Sequence, residues 1–265
     1  MQSAVIHTQV EGVGRPLALV HELGGSLDSF ELLVPRLTDR FRVLRYDQPG
    51  CGASPPCSAP ATLAGEAERL LELISRTFGS EPCRVVAVAA GAAIAVTAAR
   101  ARPGSIAALA LCAPALDVPP HRRSYLLTRA ARAEAKGMAA IAETSLERSY
   151  PAEIRRDAAA FERYRARFLA NDAMSYATAN RSLADAEILD ELPELRLPCL
   201  FLAGHHDGLR PPHEVERLSQ TVPGAAYATV ESGHIMPMQA PAQMAEHLRA
   251  FFRRVPKTVP ETHRG

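Results

Sequence analysis

The sequence lacks two features that would direct the chain into or across a membrane. It has no run of 18 apolar residues, and its N-terminus has no basic region followed by an apolar stretch. A transmembrane helix needs about 20 mostly apolar residues, and a secretory signal needs a basic region followed by an apolar one. We therefore predict a soluble, cytoplasmic protein.

An excess of charge of one sign is also lacking. The chain has 30 basic and 29 acidic residues, which gives a formal net charge of +1. This balance favours neither nucleic acid nor an acidic membrane surface as a partner. The expected partner is a small-molecule substrate, and a homodimer is compatible with the sequence.

Cysteines are few, and their spacing is not that of a metal site. Their number is odd, and Cys83, Cys112 and Cys199 lie in or beside apolar strand-like runs, whereas Cys51 and Cys57 do not. Small buried cysteines of this kind are typical of a reducing cytoplasm. No metal or organic cofactor is implied.

Length and hydrophobic patterning predict one α/β unit with an insertion. With 265 residues, of which 47% are hydrophobic, the chain suits a domain of about 200–250 residues plus an added segment. Apolar strand-like runs alternate with helical segments, among them 27–37, 62–78 and 213–220. The predicted strands lie at 3–10, 16–21, 42–47, 84–88, 106–112, 198–203 and 225–230. This alternation predicts a mostly parallel, doubly wound sheet with helices on both sides.

The alternation breaks between residues 116 and 195, where the sequence is Arg-rich and helical throughout. We predict that 116–195 forms a helical cap inserted into a core made of 1–115 and 196–252. Residues 253–265 are polar, contain two prolines and are predicted to form a flexible tail.

A β-branched strand passes abruptly into an Ala-rich helix at residues 84–95. Strand, sharp turn and helix are the context of the Gly-x-Ser-x-Gly nucleophile elbow. That template falls on residues 87–91, and Ala89 occupies the seat of the nucleophilic serine. A methyl group cannot attack a substrate, so no acyl-enzyme is expected. The turn requires a positive φ at this seat, which costs an alanine about 1–3 kcal/mol.

Two other predicted strands end at candidate acid–base residues. Asp207 closes Gly204-His-His-Asp207, and His234 closes Glu231-Ser-Gly-His234. Ligands of open α/β sheets bind beyond the carboxyl ends of the strands. Asp207 would orient His234 as a general base near neutral pH. For the neighbouring His205 and His206, ordinary loop roles are favoured over metal binding.

A Gly-rich loop at residues 21–26 follows the second predicted strand. Its position predicts that the backbone N–H of Leu23 forms an oxyanion hole with that of Ala90, and such donors do not depend on the missing serine. Glu22 and Ser26 are candidate pocket residues in this loop. Glu22 is either a second acid or base or the partner of a cap arginine, and the pairing is favoured.

These segments together resemble an α/β-hydrolase of the 3-oxoadipate enol-lactonase type along nearly the whole chain. The nucleophile seat, acid and histidine also follow in the chain order of that superfamily. The matching segments are 21–26, 45–54, 87–91, 206–207 and 233–234, with 136–138 and 175–177 in the cap. The chain is similar, too, to the aminoacrylate or carbamate hydrolases of pyrimidine degradation, in which alanine can occupy the nucleophile seat. Arg122-Arg123 and Tyr150-Pro151 belong to that likeness, and the chain departs from the pattern at Glu22, Pro49, Cys51, Ala87 and Ala89.

The resemblance implies a hydrolase, and the missing serine leaves several hypotheses open. In the favoured one, His234 deprotonates a water that attacks a small activated substrate such as an enol-lactone, an enamine or a carbamate. The same base would also serve a lyase or a cofactor-free oxygenase, and the fold would equally serve a non-catalytic binding module. Ser26 and Cys51 are weaker nucleophile candidates. An engineered Ser→Ala replacement is a further alternative, although the small residues around Ala89 favour natural divergence.

An Arg-rich cap over a small pocket suits a small, anionic, carboxylate-bearing substrate. Arg122, Arg123 and Arg167 are predicted to bind that carboxylate bidentately. Tyr164 and Phe168 recur at helical spacing and are predicted to belong to the cap core rather than to contact a ligand.

Overall fold

The computed structural model describes residues 5–56 and 61–255. Its strands are β1 (Thr8–Glu11), β2 (Arg15–Val20), β3 (Phe41–Tyr46), β4 (Cys83–Val88), β5 (Ile106–Cys112), β6 (Cys199–Gly204) and β7 (Ala226–Val230). They form one sheet in the order β1-β3-β2-β4-β5-β6-β7. Only the β1–β3 pair is antiparallel among these described strands. The predicted mostly parallel sheet is confirmed.

The helices flank the sheet and fill the segment between β5 and β6. They are α1 (Leu63–Phe78), α2 (Gly91–Ala101), α3 (Pro120–Lys136), α4 (Ala139–Ser149), α5 (Ala158–Ala170), α6 (Ala173–Ala184), α7 (Pro212–Thr221), α8 (Met236–Gln239) and α9 (Pro241–Arg254). In the described part of the chain, none of them combines the length and the apolar character that crossing a membrane requires.

Apolar layers cover both faces of the sheet, because successive side chains of a strand point to opposite faces. Every residue of β4 is buried. Val85 belongs to the cluster that contains residues of α1 and α2, and Val86 to the cluster that contains residues of α9. Continuous apolar strands are typical of parallel sheets covered on both sides. This is the predicted doubly wound arrangement.

The segment predicted to be a cap contains α3 to α6 and, within residues 116–195, no strand. A third apolar cluster joins these helices to Ile235 and Met238, which follow β7. In this cluster the rings of Tyr150 and Phe161 stack with their centroids 5.2 Å apart. The cap boundaries remain a prediction.

The segment after loop 21–26 is not the predicted α-helix. Leu27–Phe30 and Val34–Arg36 form two short 3-10 helices. Leu27, Phe30 and Leu33 are buried at intervals of three residues, which suits the 3-10 period. Pro35 also lacks the N–H that an α-helix would use.

The two chain ends differ in part from the sequence prediction. The first strand begins at Thr8 rather than at Ser3, which lies outside the described residues. Arg253 and Arg254 belong to α9 rather than to the predicted tail. The remainder of the predicted tail, from 256 to 265, lies outside the described residues.

Candidate active site

Ala89 lies in the sharp turn between β4 and α2. Its φ is 49°, so the positive φ predicted for this position is confirmed. The turn is fixed on both sides. The Ala89 N–H donates to the Cys112 carbonyl over 2.9 Å, and the Ala89 carbonyl accepts from the Ala115 N–H over 3.0 Å. The end of β5 therefore holds the alanine in a conformation that its side chain disfavours.

Gly91 lets α2 begin directly against the end of β2. A Cβ at this position would lie 2.8 Å from the carbonyl oxygens of both Val20 and His21. No other residue fits without a backbone shift. This close approach brings the first turn of α2 beside loop 21–26, and in that turn the N–H groups of Ala92 and Ala93 donate to the carbonyls of Ala89 and Ala90 over 3.1 Å.

His234 and Asp207 are joined by a hydrogen bond of 2.8 Å between Nδ1 and Oδ2. Asp207 is buried in the loop after β6, and its Oδ1 accepts from the backbone N–H groups of Leu209 (2.8 Å) and Arg210 (3.0 Å). A carboxylate that accepts three hydrogen bonds orients the imidazole so that Nδ1–H points to it. The Nε2 atom of His234 is then left to act on another molecule.

A cavity of about 400 Å³ lies over these residues. Leu23, Ala89, Ala90 and His234 line it from the core side. The structure therefore brings together the predicted base, the empty nucleophile seat and the two residues whose N–H groups were predicted to form an oxyanion hole.

Glu22 also lines this cavity and is buried. Its Oε1 accepts from the hydroxyls of Ser29 and Tyr164, each over 2.8 Å. Among the described residues, its Oε2 has no hydrogen-bond partner. The favoured prediction of a cap arginine as partner is wrong, because the cap supplies a tyrosine hydroxyl. Burial, followed by the nearby Glu22, raises the pKa of Tyr164 and keeps the phenol protonated as the donor.

His21 holds loop 21–26 to the loop after β3. Its Nδ1 lies 2.8 Å from the Glu22 carbonyl, its Nε2 accepts from the Gln48 N–H over 3.0 Å, and its own carbonyl accepts from the Gln48 side chain over 2.8 Å. This pattern requires a neutral imidazole that carries its proton on Nδ1. Burial lowers the pKa of His21 and favours that neutral form.

The two alternative nucleophiles lie elsewhere. Ser26 caps the 3-10 helix at Leu27–Phe30, with its hydroxyl accepting from the Asp28 N–H over 3.2 Å, and it does not line the cavity. The prediction that Ser26 is a pocket residue is therefore wrong. Cys51 lines a separate cavity of about 50 Å³. Burial raises the pKa of its thiol and disfavours the nucleophilic thiolate.

Of the three arginines predicted to bind substrate, Arg122 lines the cavity. It is paired with Glu214 over 2.5 Å. Arg123 is an exposed residue paired with Asp185 over 2.6 Å, and it does not line the cavity. Neighbouring residues of a helix point about 100° apart, and here Arg123 is the one that points away from the cavity.

Arg167 likewise lies outside the lining of the cavity. It pairs with Glu31 over 3.2 Å and with Asp28 over 3.5 Å, both next to loop 21–26. Arg167 therefore joins the cap to the core rather than lining the pocket. Tyr164 and Phe168 belong to the cap core, as predicted, but they also line the cavity, which sequence reasoning did not anticipate.

Three arginines that line the cavity were missed from the sequence, namely Arg129, Arg148 and Arg210. Arg129 lies seven residues after Arg122 in α3, a spacing of two helical turns that marks the same face. Arg210 follows Asp207 by three residues at the carboxyl end of β6, where ligands of such sheets bind. No comparable feature of the sequence indicates that Arg148 lines the cavity.

His205 and His206 are exposed and lie near Glu231, at 3.7 and 3.2 Å, outside the lining of the cavity. Across residues 5–56 and 61–255, no group of three or more His, Cys, Asp or Glu side chains is arranged to hold a metal ion.

The parallel sheet, the turn at Ala89 and the histidine after the last strand define the α/β-hydrolase fold. Comparison with known families agrees: the chain belongs to the family described as "Serine aminopeptidase, S33", whose model matches residues 15–233. It is therefore a hydrolase of the α/β-hydrolase superfamily.

Individual relatives match the predicted resemblance to enol-lactonases and carbamate hydrolases. A protein of Stutzerimonas stutzeri named as the carbamate hydrolase RutD is 28% identical over 233 residues, covering 86% of this chain and 87% of its own. The (E)-2-((N-methylformamido)methylene)succinate hydrolase of Acinetobacter baylyi is 25% identical over 255 residues, covering 94% and 95%. The enol-lactonase structure from Burkholderia xenovorans has a TM-score of 0.87 and 26% identity, covering 94% of this chain and 96% of that one.

Proposed function

We propose that this protein hydrolyses a small, activated, carboxylate-bearing substrate by general-base catalysis without a serine nucleophile. The observation that carries the proposal is the 2.8 Å hydrogen bond between His234 and Asp207 beside a cavity that Ala89 also lines. The base is oriented, yet no side-chain oxygen occupies the nucleophile seat.

In the proposed reaction, Nε2 of His234 takes a proton from a water molecule while the water oxygen attacks the substrate carbonyl or, in an enamine, the imine-like carbon of its tautomer. The carbonyl oxygen becomes an oxyanion that accepts from the N–H groups of Leu23 and Ala90. The intermediate then expels the enolate or amine leaving group, which receives the proton from His234. Asp207 stabilises the imidazolium that exists between these two steps.

The absence of a nucleophile limits the substrates that such a site can turn over. In triad enzymes that have lost a catalytic group, the oxyanion hole and substrate binding alone retain about 10³–10⁴ over the reaction in water. Enol-lactones, enamines and carbamates are reactive enough for that residual rate. The names of the three relatives above support these classes, and the succinate in one of them supports a carboxylate-bearing substrate.

The proposal is tested by assaying the wild-type protein against an enol-lactone, a carbamate and an enamine. Mass spectrometry during turnover should detect product but no covalent acyl adduct, because Ala89 cannot form one. The variant Ala89→Ser should turn over at the same or a higher rate and should gain the mass of the acyl group. An adduct on the wild-type chain would contradict the proposal and would indicate another nucleophile.

A non-catalytic binding module is the second candidate, and the methyl group of Ala89 is the observation that favours it. A binding module would take up ligand with no product and would not need the His234–Asp207 bond. A lyase or cofactor-free oxygenase would instead convert the substrate without adding water, so the product masses separate all three candidates. The expected partner remains a small anionic molecule. The expected location remains the cytoplasm, which the buried, unpaired Cys83, Cys112 and Cys199 support.

A further inference from the structure

Arg210 occupies the same loop as the acid that orients the candidate base. It lies three residues after Asp207, and its backbone N–H donates to Oδ1 of Asp207 over 3.0 Å. Its side chain is only 7% exposed and lines the 400 Å³ cavity. One short loop therefore supplies both the orienting carboxylate and a buried cation to the same cavity.

Among the described residues the guanidinium of Arg210 makes no close contact with an anion, although Glu214, Asp207 and Asp117 attract it electrostatically. Throughout the described residues, no side chain or carbonyl accepts a hydrogen bond from it or forms an ion pair with it. Arg122, in the same cavity, is by contrast neutralised by Glu214 at 2.5 Å. An arginine has five N–H donors, and those of Arg210, which lines the cavity, are open to an acceptor on a ligand. Burial, together with the like charge of Arg122, lowers the pKa of Arg210 to about 10.

The rest of the cavity wall adds positive charge around Arg210. Four arginines line the cavity, and Glu22 is the one acidic residue among the described lining residues. Arg129 is held by Asn180, whose Oδ1 accepts from its Nε over 2.8 Å. Arg148 lies over the ring of Tyr125, 4.5 Å from the centroid. The other lining arginines have close polar or ring contacts, whereas Arg210 has none among the described residues. Arg210 is therefore the lining arginine best placed to bind an anionic ligand.

We propose that Arg210 binds the carboxylate of the substrate and thereby positions the reacting carbonyl over Ala89 and beside His234. This inference rests on the proposed function, because it assigns the anionic part of the same substrate. The planar guanidinium matches a carboxylate with two parallel hydrogen bonds. Arg210 is therefore a specificity residue, and its backbone links substrate binding to the orientation of the base through Asp207.

The test is a calorimetric titration of the wild-type protein and two variants with succinate and glutarate. Dimethyl succinate serves as the uncharged probe and inorganic phosphate as the competing anion. Arg210→Met removes the charge but keeps an apolar side chain of similar length. Arg123→Met is the matched control, because Arg123 is an exposed cap arginine outside the lining of the cavity.

We expect the wild-type protein to bind at least one of the two dicarboxylates. Arg210→Met should weaken that binding at least about tenfold and leave binding of the diester unchanged, whereas Arg123→Met should bind like the wild type. Thermal unfolding of Arg210→Met should stay close to the wild-type temperature, because the substitution breaks no hydrogen bond or ion pair of the guanidinium among the described residues. Arg210→Lys should recover part of the binding without the bidentate geometry.

Three results would overturn the assignment: dicarboxylate binding that is unaffected in Arg210→Met, no dicarboxylate binding by the wild type, or phosphate binding at least about tenfold tighter than both acids. The proposed function fails separately. It fails if Arg210-dependent binding is found in a protein that hydrolyses nothing. It stands if carboxylate-bearing activated substrates are hydrolysed through His234 while Arg210→Met changes neither binding nor rate.

Discussion

The hydroxyl of Tyr164 donates a 2.8 Å hydrogen bond to Oε1 of Glu22 and so joins the cap helix α5 to the loop after β2. Both side chains are buried and both line the cavity. The same oxygen of Glu22 also accepts from Ser29. This bond is therefore one of the contacts that set the position of the cap over Ala89 and His234.

Removing the Tyr164 hydroxyl should destabilise the protein. Tyr164→Phe leaves the buried carboxyl of Glu22 with one donor fewer, and we expect the free energy of unfolding to fall by about 1–3 kcal/mol. Tyr46→Phe is the matched control, because the buried Tyr46 hydroxyl has no hydrogen-bond partner among the described residues. Its removal should leave the unfolding free energy unchanged or raise it. Equal losses in the two variants, measured by urea denaturation, would contradict this account of the Glu22 contact.

Replacing Ala89 by glycine should not destabilise the fold. At φ 49° an alanine is strained by about 1–3 kcal/mol, whereas glycine adopts this conformation freely at an entropic cost of about 0.5–1 kcal/mol. The substitution also removes a buried methyl group worth about 0.8 kcal/mol, so we expect Ala89→Gly to leave the free energy of unfolding unchanged or to raise it by up to about 1 kcal/mol.

The control for this substitution is Ala87→Gly, two residues earlier in the fully buried β4. There the same change removes a packed methyl group from an ordinary strand and should lower the unfolding free energy by about 1–2 kcal/mol. Equal losses of stability in the two variants, measured by thermal and chemical unfolding, would contradict the conformational strain assigned to Ala89.

His21 should make the protein less stable as the pH falls. Burial lowers its folded-state pKa below the ordinary value of 6.5, so the unfolded chain takes up a proton before the folded chain does. The contribution of the neutral His21 to the free energy of unfolding is fully present above about pH 6.5. Below that pH it is lost, by up to about 1.4 kcal/mol per pH unit. His21→Gln cannot titrate, and its unfolding free energy should vary less between pH 7.5 and 5.5. Parallel pH profiles of the two proteins would count against this role.

The sheet was predictable because its signals are local. The runs at Ile106–Cys112 and Cys83–Val88 are apolar enough to be buried on both faces, and no competing pattern accompanies them. The prediction of an α-helix at residues 27–37 was wrong, because an apolar spacing of three or four residues fits both an α-helix and consecutive 3-10 turns. Only the hydrogen bonds, such as that from Leu33 to Phe30 over 3.0 Å, distinguish the two.

The pair His234 and Asp207 was predictable because each follows a recognisable strand, and strand ends converge at one edge of a parallel sheet. Which arginines line the cavity was not predictable. The face that a cap helix presents to the cavity depends on its packing against residues far away in the sequence. Arg167 lies next to Glu31 across 136 residues, and Arg122 next to Glu214 across 92. Ala113, a second residue with positive φ (47°) at the end of β5, gave no signal in the sequence.

Activation of water by His234, at a site without a nucleophile, is tested by one comparison of rates. Turnover of an enol-lactone, a carbamate and an enamine is measured for the wild type, for His234→Ala and for His206→Ala. The last variant is the control, because His206 is exposed and outside the lining of the cavity. We expect His234→Ala to abolish turnover and His206→Ala to keep the wild-type rate. Turnover that persists unchanged in His234→Ala would contradict this expectation.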